Sequence, residues 1–153
     1  MHVLPLRIQN LWLAIDTVYV EQILGGREWA KLPSAPPQWP GVLAWQGRAV
    51  AVLDLGHLLE ITPLAAGTVR RRTLMARVKS CLLAIPVDEI YEAQVIDDSA
   101  PSPAHATRGR IASLEIALHD TVMPLLDLRR LVSEALAPAE QGATARAAAE
   151  RRA

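Results

Sequence analysis

Asp16, Asp54, Asp88 and Asp127, the 4 histidines and the 1 cysteine are the side chains whose types could carry acid–base, metal or nucleophilic chemistry. Paired carboxylates do general acid–base work only where their surroundings push their pKa values apart in one cleft. Each of these aspartates instead stands at the end of an apolar run, ahead of a turn or helical segment. A carboxylate there accepts from free backbone N–H groups, so capping is the better account. His2, His57, His105 and His119 have no metal-ligand spacing. Cys81 lies in an apolar run and is expected as a buried thiol rather than a reactive one. No nucleophile elbow, phosphate-binding glycine loop or zinc motif occurs. The expectation is a chain without catalytic residues, cofactor or metal.

Other residues suggest binding. Pro33-Ser34-Ala35-Pro36 and Pro37-Gln38-Trp39-Pro40 fit the P-x-x-P pattern of SH3 and WW ligands, but they also read as a semi-rigid connector. Trp29, Trp39 and Trp45 flank that connector, and partly buried packing over a barrel end accounts for them better than interface anchoring. Arg70-Arg71-Arg72 could touch an acidic partner, although such a run is more often a solvated strand edge.

The 153 residues are 51% hydrophobic and 21% charged, with 16 Lys+Arg against 16 Asp+Glu. A chain with no net field is a poor general binder of nucleic acid or membrane surfaces. No apolar run approaches the ~20 residues that span a bilayer, and no signal peptide is recognisable, so a cytoplasmic protein without membrane insertion is expected. With 0 Phe, the core must be built from Leu, Val, Ile and Ala.

Short Val/Ile/Leu-rich runs over 3–8, 11–15, 18–24, 42–45, 49–55, 73–78, 81–87, 111–118 and 121–126 are separated by turn residues, the pattern of an all-β protein. Asp54 and Asp127 each precede a helical pattern, the second running to about Leu136. Loops are expected over 62–69 and 97–108. The segment 138–153 has no large apolar residue and is expected to be a flexible tail. An internal echo constrains the architecture further. Leu13-Ala14-Ile15 returns as Leu83-Ala84-Ile85, Gln22-Ile23-Leu24 as Gln94-Val95-Ile96, and Val52-Leu53-Asp54-Leu55 as Leu125-Leu126-Asp127-Leu128. Two similar β units in one chain are the economical reading.

The ordered set Ala14-Ile15-Asp16, Val20-Glu21-Gln22-Ile23, Leu32-Pro33, Gly41-Val42-Leu43-Ala44-Trp45-Gln46-Gly47, Ala84-Ile85-Pro86-Val87-Asp88 and Pro124-Leu125-Leu126-Asp127-Leu128 resembles the CheW-like adaptor family of bacterial chemosensory systems. The resemblance implies one domain over 1–137, made of two intertwined five-stranded SH3-like β-barrels on a shared apolar interface, with short helices and a C-terminal helix. It implies a non-enzymatic scaffold that couples the tip of a methyl-accepting chemoreceptor to the regulatory domain of a CheA-like histidine kinase. Carried over by position, Val20, Gln22, Ile23, Gly41, Gln46 and Gly47 are its partner-binding residues. The family usually has Glu at position 22 and Arg at position 46; here both are amides, expected to lie close enough to hydrogen-bond. Arg48 alternates to the other strand face and is a poor substitute for Arg at 46. An adaptor that has lost kinase binding, acting on the receptor side or in a non-flagellar motility pathway, is the alternative.

Overall fold

In a computed structural model, residues 1–60, 69–97, 102–103, 114–118 and 120–133 are described, the pair 102–103 by its backbone. The expected tail, His105, His119, most of both long loops and the end of the terminal helix lie outside these residues.

Among the described residues thirteen strands are present: β1 (His2–Ile8), β2 (Leu11–Asp16), β3 (Val20–Gly25), β4 (Ala30–Lys31), β5 (Gly41–Trp45), β6 (Arg48–Val52), β7 (Arg72–Val78), β8 (Cys81–Val87), β9 (Glu89–Ile90), β10 (Gln94–Val95), β11 (Ser102–Pro103), β12 (Leu114–Leu118) and β13 (Thr121–Leu126). Helix α1 spans Leu55–Leu58, and the chain is helical again over 128–133, here α2. Four hairpins turn through two residues, and Gln9, Gln46 with Gly47, Lys79 with Ser80, and Asp120 all carry positive φ. Such turns match the right-handed twist of the strands they join.

Sheet order shows how the two halves interlock. One sheet runs β10-β1-β2-β13-β12-β11, with β9 also on β1; the other runs β3-β7-β8-β6-β5-β4. The orders correspond strand for strand. Parallel pairing of Val52 with Ala84 is repeated by Leu125 with Ala14, so each half contributes a strand to the centre of the other's sheet. Five strands of the second sheet are five residues or longer; in the first sheet the two-residue β10 takes the place of β3, and the two-residue β4, β9 and β11 add to the implied five-stranded plan.

The echo residues divide among three apolar clusters. Leu13, Ile15, Leu83 and Ile85 face a central cluster, joined by Leu53, Leu55, Leu126 and Leu128 from the capped segments. Between them Ala84 points into one barrel, with Leu24, Leu43, Val50, Val52 and Met75, and Ala14 into the other, with Val3, Ile96, Ile116, Met123 and Leu125. A strand buried on both faces needs apolar residues at every position, which explains the unbroken runs in β1, β2, β7 and β8. Aliphatic side chains, with a flexible Met in each barrel, fill these interiors without Phe.

The caps also correspond. Asp54 accepts from the His57 N–H at 3.2 Å and Asp127 from the Arg130 N–H at 3.2 Å. Asp16 accepts from Val18 N–H at 3.0 Å, closing a 3-10 turn over Thr17–Tyr19, so β3 begins at Val20 rather than at 18. The Pro-rich connector is ordered: Leu32 N–H donates to the Pro40 carbonyl at 3.0 Å, and the buried Gln38 accepts at its carbonyl from Asp54 N–H at 3.0 Å. Replacing Asp54 or Asp127 by Ala should cost about 0.5–2 kcal/mol, with Asn restoring most of it. Asp54 is 2% exposed and should be the more costly of the two, a ranking that urea midpoints measure.

Three expectations need correction. Cys81 is exposed, because burial along β8 starts at Leu83 and the first residue after the Lys79-Ser80 turn projects beyond the core. Arg70 is not solvated: its side chain is 8% exposed and pairs with Asp88 at 3.0 Å. Asp88 caps no helix; it accepts from Gln9 N–H as well as from Arg70, fixing the β1–β2 turn.

Candidate interaction surfaces

The six residues carried over from the resemblance fall in two places. On β3, which ends its sheet, Val20 is half-buried against the central cluster, Gln22 is exposed and Ile23 is 42% exposed. A bulge lies between Val20, opposite Ala76, and Gln22, opposite Met75. It puts Val20 and Ile23 on the inter-barrel side and turns Gln22 toward the barrel side with Leu24. On the β5–β6 hairpin, Gln46 and Gly47 form an exposed turn beside a groove of about 510 Å³ lined by Trp29, Val42, Ala44, Arg48 and Ala49. Gly41 is buried, and its backbone lies against Ala30 and Trp29. Trp29 and Trp45 pack on one barrel core and Trp39 on the central cluster, consistent with the packing role read for them.

Along the hydrogen-bonded path β7, β8 and β6 separate β3 from β5, and no hydrogen bond among the described residues joins Gln22 to Gln46. The expected amide pairing does not form. The acid on this edge is Glu21, the bulged residue, which takes Arg77 Nε at 3.3 Å and Nη2 at 3.4 Å. Sequence alone gives no sign of that pair, since Arg77 comes opposite Glu21 only through the β3–β7 register.

A second polar cluster lies where the chain crosses between barrels. Asp88 and Glu89 leave β8 and reach β1, where Glu89 stands opposite Arg7. Arg7 Nη2 lies 3.0 Å from Glu89, the Tyr91 hydroxyl donates to the same carboxylate, and Arg71 approaches it at 3.5 Å. Tyr91 stacks on Trp12 with ring centroids 4.6 Å apart. The Tyr91 hydroxyl, and next Arg7, hold the Glu89 carboxyl below its usual range; in return the Glu89 carboxylate keeps the Tyr91 phenol neutral above its usual range.

These shifts fix signs. Glu89, with a lowered folded pKa, contributes stability above the ordinary carboxyl value of 4.5 that is lost as pH falls through the folded value. Tyr91, with a raised one, contributes stability below 10.0 that is lost as pH rises through its folded value. Glu89→Gln should therefore flatten the acid limb of the melting-temperature profile. It should also return the Tyr91 tyrosinate absorbance transition toward that of a free phenol; an unchanged transition would show the contact does not persist in solution.

Among the described residues no three His, Cys, Asp or Glu side chains are grouped to hold a metal ion, and no helix is long and apolar enough to cross a membrane. The two interlocked β-barrels present strand edges, an apolar groove and a charged cleft, and a fold of this kind takes its function from the sites it carries. The chain belongs to the CheW-like domain family, whose model matches residues 2–136. Among solved structures it is similar to the scaffolding protein TtCheW from Thermoanaerobacter tengcongensis, with a TM-score of 0.72 at 14% identity, covering 82% of this chain and 88% of that one. No sequence among curated proteins matches.

Proposed function

We propose that this chain is a non-enzymatic, cytoplasmic adaptor of a bacterial chemosensory system, joining a chemoreceptor tip to the regulatory domain of a CheA-like histidine kinase. The carrying observation is the family match across both barrels, residues 2–136. The geometry suits the role. Among the described residues β3 stands at the end of its sheet with an exposed Ile23, the Gln46-Gly47 turn flanks an apolar groove, and three apolar clusters pack the frame between them. Coupling through such a frame requires that its contacts with receptor and kinase differ between signalling states.

The test is titration of the full chain with a kinase regulatory domain and, separately, with a receptor cytoplasmic fragment. Binding to both is expected. Ile23→Asp should weaken the β3 contact at least about tenfold, ~1.4 kcal/mol, while Val122→Asp, on the other sheet and 64% exposed, leaves it unchanged. Absence of binding to either partner at high micromolar concentration overturns the proposal. Exposed amides at 22 and 46, not joined to each other among the described residues, favour one alternative, an adaptor that keeps the receptor and has lost the kinase. Receptor binding without kinase binding, with kinase binding gained in Gln22→Glu/Gln46→Arg, would establish it.

A further inference from the structure

At the crossover between the barrels six charges meet and do not cancel. Asp88 is taken by Arg70, and Glu89 by Arg7 and the Tyr91 hydroxyl. Among the described residues Arg71, with 78% of its side chain exposed, reaches only the already occupied Glu89, at 3.5 Å. A pair so exposed and so long contributes little. Arg72 is exposed, opposite Val87, and among the described residues has no ion-pair partner. A chain of zero net charge thus carries a local excess of two guanidinium groups. Arg71 and Arg72 line a cleft of about 440 Å³ together with Asp88, Glu89, Ile90 and Tyr91, the last braced by its stack on Trp12.

We propose that this cleft docks an acidic peptide segment of a partner protein, with carboxylates on the Arg71 and Arg72 forks and an apolar side chain against Ile90 and Tyr91. Guanidinium forks match carboxylates in a planar, paired geometry that an ammonium group does not offer. The Asp88 and Glu89 carboxylates also line the cleft, each already paired with an arginine, and they argue against a compact anion such as free phosphate, whereas an extended peptide spaces its charges along the cleft. The proposal requires neither a kinase nor a receptor and stands apart from the adaptor reading.

The probe is a fluorescent octapeptide of alternating Glu and Leu, with its Gln-for-Glu twin as control, titrated against the full chain by anisotropy. Saturable binding of the Glu peptide is expected, weakening at least about tenfold between about 50 mM and about 500 mM salt. Arg71→Gln/Arg72→Gln should lose about tenfold or more at an unchanged unfolding midpoint, while Arg129→Gln, an exposed arginine on α2, changes nothing. No saturable binding, equal binding of the Gln twin, equal binding by Arg71→Gln/Arg72→Gln, or displacement by inorganic phosphate at the peptide's concentration would each overturn it.

Discussion

Ile85→Ala should destabilise the protein by about 2–5 kcal/mol, and Ile15→Ala by a similar amount. Both side chains are fully buried in the central cluster, at positions related by the echo. For a chain of this size each change lowers the melting temperature by roughly 4–20 °C. The double variant carries the sharper test. Because Ile15 and Ile85 line one continuous cluster, their effects should depart from additivity by about 0.5–3 kcal/mol, whereas Met75→Ala and Met123→Ala, in separate barrel interiors, should add within about 0.3–0.5 kcal/mol. The exchange of central strands between halves also predicts a single unfolding transition, since neither sheet is complete without both halves. Chemical unfolding of the four single and two double variants measures all of this. Additive losses at 15 and 85, or two transitions, would mean that the barrels behave as independent units.

What was legible in the sequence was whatever is decided within a few residues or repeated. The Leu-Ala-Ile echo announced two similar β units, and Ala14 and Ala84 occupy matching places in them. Gln46-Gly47 signalled its turn, and Asp54 and Asp127 their caps. Features set by partners far along the chain were not legible. Arg70 reads as solvent-facing within its run, but Asp88 takes it inside; Cys81 reads as apolar company for Leu82, but the hairpin tip carries it out. The bulge at Glu21 and the meeting of Arg7, Glu89 and Tyr91 depend on register between strands, which no local pattern encodes.

Gly41→Ala should destabilise by about 1–3 kcal/mol, and Gly47→Ala by only about 1 kcal/mol, although one hairpin holds both and family resemblance gives both the same role. A Cβ on Gly41 would stand 2.0 Å from the Ala30 carbonyl oxygen and 2.7 Å from Trp29 Cε3. The first obstacle is backbone, so relief requires β4 to leave β5 and to take with it the Trp29 cover of the barrel core. At Gly47 nothing lies within 4 Å, and the cost is the strain of φ +73° alone. Hydrogen exchange should show lost protection at the Ala30–Lys31 ladder in Gly41→Ala and none in Gly47→Ala. If partners dock on the exposed turn, Gly47→Ala should lose affinity out of proportion to its small loss of stability, while Gly41→Ala loses it only through the remodelled Trp29 groove. Wild-type stability in Gly41→Ala would contradict the packing account and return Gly41 to the docking surface.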